Sequence, residues 1–150
     1  MYGDPGEIRA VAARLRSLAG DTRAQQQLVV SAEGVEWRSA AADAFREELA
    51  ERAAQVSRCA GELVDAASAV DRHADAVEAR IAAIQAAEAW ARQEIAELRR
   101  TASAVADGVV DGVKDLAAGA WDRLRRLPAD LPSAGSVDWL EVSGRLGRGR

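Results

Sequence analysis

Very little in this chain is suited to catalysis. Among its 150 residues there is one cysteine, Cys59, and one histidine, His73. Both fall in one apolar-periodic stretch, about 21 Å apart at the helical rise of about 1.5 Å per residue. A single chain therefore forms no Cys-His dyad and no metal site of clustered thiolate and imidazole ligands. One cysteine also excludes an intramolecular disulfide. There is no glycine-rich phosphate loop and no G-x-S-x-G elbow. Carboxylates such as Glu47, Glu48 and Glu51 stand beside Arg46 and Arg52, the pattern of ion pairs on a helix surface rather than of a convergent site. These absences predict a non-enzymatic protein with no metal and no cofactor. His73 reads as a polar residue flanking a packing seam, and Cys59 as a small flank or core residue.

Proline is equally scarce. Pro5, Pro128 and Pro132 are the only three, so the stretch between the first two is free of the strongest helix breaker. Aromatic residues make up 4% while apolar residues reach 49%, much of it alanine, a composition that favours close-packed helices. The length suits one domain with a tail. The formal net charge is −4, with acids and bases interspersed, which opposes nucleic-acid binding because phosphate neutralisation needs a concentrated basic surface. No apolar run is long enough to cross a bilayer. The first residues, Met1 to Glu7, lack the basic and apolar regions of a signal peptide, so export, if it occurs, is expected to use another route.

What the chain does contain is helical periodicity. Asp4-Pro5-Gly6-Glu7 reads as a helix start, with Asp4 as cap, Pro5 at the first helical position and Glu7 at the capping-box position. Ile8, Val11, Leu15, Leu18, Thr22, Gln25 and Val29 then recur at threes and fours, giving a first helix that ends near Ala32. Glu33-Gly34-Val35-Glu36 is the predicted turn. From Ser39, a predicted N-cap, a seven-residue repeat runs through Leu49, Val56, Leu63, Val70, Val77, Ile84, Ala91, Leu98 and Val105. A second column contains Ala53, Ala60, Ala67, Ala74, Ile81, Glu88, Ile95 and Ala102, in which alanine permits close helix approach and Glu88 breaks the pattern.

The fold class this predicts is all-α: an antiparallel helical hairpin with a long second helix, coiled-coil-like packing and a short third amphipathic helix. Lengths then make an argument about partners. The first helix spans roughly 40 Å and the second about 100 Å if unbroken, so one cannot cover the other. Folded back, helix one reaches only to about Val70. The predicted dimer seam is accordingly Val70, Val77, Ile81, Ile84, Ile95 and Leu98. Two glycines in Asp107-Gly108-Val109-Val110-Asp111-Gly112 interrupt the second helix. Val113, Leu116, Ala120, Leu124 and Leu127 follow as the third, ending before Pro128, and too short to cover the whole surplus. The predicted organisation is a hairpin over 1–106, a short amphipathic helix over 107–127 and a mostly disordered tail over 128–150, in which Val137, Trp139 and Leu140 could dock locally.

The bend carries a more specific pattern. Glu36-Trp37-Arg38-Ser39, followed by Ala41-Ala42-Asp43-Ala44-Phe45-Arg46 and Leu49, resembles the W-x-G turn and following helix of the WXG family. These are small helical hairpins exported by the type VII (ESX) secretion system of actinobacteria and Gram-positive relatives. Asp4-Pro5 through Ile8-Arg9-Ala10 and Ala13-Arg14-Leu15-Arg16 resemble the longer actinobacterial versions, which often form the targeting region of secreted effectors. The similarity covers about residues 4 to 90. Ser39 replaces the family's glycine. No tyrosine follows Tyr2, so the family's Tyr-x-x-x-Asp/Glu export signal has its best match in Trp90 and Glu94, one helical turn apart.

The resemblance implies a secretion substrate or targeting module that forms a homodimer, or a heterodimer with a related hairpin, as a four-helix bundle. Trp37, Arg38, Ser39, Trp90 and Glu94 would then form a recognition surface for the type VII machinery. In the family the Trp of one subunit sits near the C-terminal signal of its partner. Secretion by a signal-peptide-independent route follows from this reading, and a cytoplasmic adaptor or chaperone of the same fold is the alternative. A membrane-active effector is a third reading, motivated by Trp121 beside Arg123, Arg125 and Arg126. Asp115 and Asp122 dilute that charge and favour a solvated helix face.

Overall fold

The computed structural model of the protein describes residues 3–31, 38–106 and 114–147. Among them are four helices and no strand: α1 (Pro5–Ser31), α2 (Ala40–Ala106), α3 (Lys114–Arg125) and α4 (Asp138–Leu146). The expected turn around Gly34, the side chain of Trp37 and the glycine pair Gly108 and Gly112 lie outside the described residues.

The two long helices begin where local chemistry satisfies their first amides. Asp4 Oδ1 accepts the Gly6 N–H at 2.8 Å and its carbonyl accepts that of Ile8 at 3.1 Å. Pro5, which has no N–H to leave orphaned, opens α1. Ser39 does the same for α2, its Oγ accepting the Ala42 N–H at 3.1 Å and its carbonyl that of Asp43 at 3.1 Å. The serine that stands in the glycine position of the W-x-G pattern therefore serves as a helix cap. Glu7 and Asp43 place negative charge in the first turns, where the helix dipole favours it.

Contacts divide the chain into two units, Met1–Glu78 and Ala79–Arg150, with the division inside α2. In the first unit the fully enclosed side chains are small. Ala12 and Ala19 on α1, and Ala42, Ala53, Ala60, Ala67 and Ala74 on α2, are buried. Larger residues flank them: Ile8, Leu15 and Val29 on α1, and Leu49, Val56, Leu63, Val70 and Val77 on α2, are half-buried. Arg9 pairs with Asp75 at 2.8 Å and with Glu78 at 2.5 Å, and Arg16 pairs with Asp71. Numbers rise along α1 while their partners on α2 fall, so the two stretches run in opposite directions. The Arg9 guanidinium is held more firmly in its charged form, first by hydrogen bonding to Glu78 and then to Asp75. These pairs are solvated and align the helices more than they stabilise them.

The α1 stripe differs from the expected one. Val11, Leu18 and Gln25 face solvent, while Ala12 and Ala19 occupy the contact. The helix is turned so that its smallest side chains meet the alanine column of α2, which allows closer approach than a leucine seam would.

In the second unit, α2 from Ala79 onward carries α3 and α4. Ala87, Ala91, Ile95, Leu98 and Ala102 of α2, Ala120 of α3, and Trp139, Val142 and Leu146 of α4 form one cluster, with Trp90, Leu124, Leu127 and Leu140 packed against it. Part of the stretch 128–150, expected to be mostly disordered, is therefore ordered. Trp139, Val142 and Leu146 recur at three and four residues and lie on one face of α4, and this apolar stripe outweighs the Gly, Pro and Ser content around it. Ser136 prepares the helix start, its Oγ accepting the Asp138 N–H at 3.3 Å and its carbonyl that of Trp139 at 3.2 Å. Gly147, at φ 99°, ends α4 in the left-handed conformation that glycine adopts without strain.

Candidate functional site

The expected recognition residues fall in different units. Trp37 is outside the described residues. Arg38 and Ser39, in the first unit, are exposed, with the Ser39 hydroxyl engaged as the α2 cap. Trp90 and Glu94 belong to the second unit. Trp90 is half-buried against the apolar cluster, and Glu94 accepts a hydrogen bond from Arg123 Nη1 of α3 at 3.4 Å. The aromatic and the acid thus share an edge of α2 that α3 borders, and each keeps some surface open to water.

The expected dimer seam separates into two parts. Ile84, Ile95 and Leu98 are only 2%, 3% and 7% exposed in the single chain. The expectation that they need a second protein is therefore corrected. For Ile95 and Leu98 the covering surface includes α4, which the length argument did not count. Val70 and Val77 in the first unit and Ile81 in the second remain half-buried.

Sequence reasoning also missed the arrangement that explains Glu88. Its Oε2 accepts the Gly135 N–H at 2.8 Å, while Oε1 takes Arg92 Nε at 2.9 Å and Nη2 at 2.8 Å. Arg92 in turn lies 4.9 Å from the centroid of the Trp139 ring. Trp139 is fully enclosed and donates its Nε1–H to the Ser133 carbonyl at 2.9 Å. Gly135, at φ 73°, is the third residue of a turn closed by the Ser136 N–H to the Ser133 carbonyl at 3.1 Å, a position that favours glycine. The Gly135 amide, followed by Arg92, draws the Glu88 carboxyl below its ordinary range against the opposing effect of desolvation. Glu88 therefore marks the place where α2 receives the turn before α4. The sequence signal was a single acid in an apolar column, a break at which the seam was expected to open or change partner.

Catalytic or metal chemistry finds no constellation among the described residues. No group of three or more His, Cys, Asp or Glu side chains is placed to hold a metal ion, and Cys59 is exposed and unbridged. No described helix is long and apolar enough to cross a membrane. Larger apolar side chains are instead presented outward. In the first unit Val11 and Leu18 are 45% and 52% exposed, and Leu28 and Phe45 are 71% and 49% exposed.

Among the described residues the chain is all-α and presents these apolar side chains on helical surface. A family model described as "Putative T7SS secretion signal domain" matches residues 1–142. The chain belongs to this type VII secretion signal family. Membership defines it as a type VII secretion substrate that interacts with that system and leaves by a route other than the signal peptide. No curated protein and no solved structure matches the chain.

Proposed function

We propose that the protein is a non-enzymatic type VII (ESX) substrate or targeting module of the longer, actinobacterial WXG-like kind, whose first unit is an antiparallel hairpin that pairs with itself or with a related hairpin. The observation that carries this reading is the alanine core of that unit. Two helices joined over alanine leave their larger side chains at the edges, and Val11, Leu18 and Phe45 stay about half exposed. Fully covering a Leu, Val or Phe side chain is worth roughly 1.5–3 kcal/mol, so covering half of each of three would contribute on the order of 2–4 kcal/mol toward association. A second hairpin laid on this face completes a four-helix bundle with coiled-coil-like seams, and Val70 and Val77 are available at its α2 edge.

Pairing serves export by assembling a surface that neither subunit has alone. Trp37 supplies a large aromatic on the link between α1 and α2, and Trp90 with Glu94 supplies the aromatic and acid of the signal. Secretion from a host with an intact type VII system tests this. Trp37→Ala and Glu94→Gln should each lower the secreted fraction by about tenfold or more, equivalent to about 1.4 kcal/mol of lost recognition, with cellular levels unchanged. Wild-type secretion by both variants would remove the recognition role.

A further inference from the structure

The second unit contains a groove that the pairing reading does not use. It has a volume of about 640 Å³ and lies between the end of α2, the end of α3 and the segment after α3. Such a volume falls within the range of roughly 300–1,000 Å³ usual for ligand clefts. Its apolar lining includes Trp121, Leu124, Leu127 and Leu131, and among the described residues its charged lining side chains are Arg99 and Arg125. Trp121 is 52% exposed, a large aromatic left open at a concave apolar surface.

The charges decide what would fit. Arg99 forms no ion pair among the described residues. Arg125 pairs with Asp122 at 3.1 Å, and both side chains are largely solvated, so the pair exchanges readily for another carboxylate. In a chain of net charge −4, the described lining of this apolar recess carries two guanidinium groups, with the Asp122 carboxylate beside it on Arg125. We propose that this groove binds an acidic amphipathic helix of a partner protein, its apolar side chains seated on Trp121, Leu124 and Leu131 and its carboxylates on Arg99 and Arg125. Helical anchors at i, i+3, i+4 and i+7 suit a groove of this kind. Arginine forks hold carboxylates at its border. A lipid surface is the poorer match, because it is flat and is held by clusters of about four to eight basic residues.

Every lining residue belongs to the second unit, so the inference stands apart from pairing through the first. Fluorescence anisotropy of the full chain tests it, with a fluorescein-labelled helical peptide carrying leucine at the anchor positions and glutamate beside them. Saturable binding is expected, weakened about tenfold or more by W121A and by R99E. A peptide with lysine in place of glutamate should bind at least about tenfold more weakly. R58E, an exposed change in the first unit, should stay within about twofold of wild type, and circular dichroism should find all variants equally helical. Absence of saturable binding, equal binding of the two peptides, or indifference to both W121A and R99E would overturn the proposal. Binding to phosphatidylglycerol vesicles without binding to the acidic peptide would overturn it in favour of a membrane surface.

Discussion

Replacing Trp139 with alanine removes the largest fully buried side chain among the described residues. An enclosed tryptophan keeps about 150–250 Å² from water, worth roughly 4–6 kcal/mol at about 25 cal/mol per Å², of which alanine retains a small share. Core truncations of this size cost about 3–5 kcal/mol. Two polar contacts disappear with the ring: the Nε1–H bond to Ser133 at 2.9 Å and the Arg92 guanidinium 4.9 Å from its centroid. Trp139→Phe separates them from bulk, since it keeps an aromatic face for Arg92 while losing the indole N–H. Its cost should be clearly smaller than that of alanine. Arg92→Ala alone should cost about 1 kcal/mol, because it ends the cation–π contact and half of the Glu88 pairing at an exposed position. Urea denaturation gives the totals, and hydrogen exchange gives the location. Protection should fall over 79–106, α3 and α4, while α1 and the α2 stretch before Glu78 keep theirs, because the two units have separate cores. A cost below about 1 kcal/mol for Trp139→Ala, or an equal loss of protection in both units, would refute the reasoning.

Ala67→Leu tests the alanine contact of the first unit: Ala67 is 0% exposed, so the added atoms should force the helices apart and cost about 1–3 kcal/mol by thermal or urea unfolding, whereas a loosely packed seam would gain stability. The Glu88 carboxyl is drawn below its ordinary range in the folded chain, so its contribution is present above the unfolded carboxyl range near about 4.3 and is lost as pH falls through the lower folded value. Stability measured from neutral pH down into that acid range should fall less steeply in Glu88→Gln than in wild type, and parallel curves would show that Glu88 is not the titrating group.

Helix existence was legible from the sequence because capping and periodicity are local. Asp4 and Ser39 cap the helices they were expected to cap. Which face of α1 meets α2 was less legible. Hydrophobicity ranks Val11 and Leu18 above Ala12 and Ala19, whereas close packing favours the smaller side chains, and packing decided the rotation. Coverage of Ile95 and Leu98 was misjudged for a related reason. Composition over 128–150 suggested disorder, yet three apolar residues at helical spacing in Asp138–Leu146 suffice once α2 offers a surface to meet. Glu88 was noticed as an anomaly, but its partner, the Gly135 amide, carries no side-chain signature and lies 47 residues away in sequence.

Association through the first unit is the claim on which the functional account rests, and light scattering across a concentration series measures it most directly. A chain of 15.9 kDa should reach about twice that mass, alone or with a related helical hairpin, and Leu18→Asp should return it to monomer with its helicity intact. A monomer at every concentration, alone and with every related hairpin, would contradict the account.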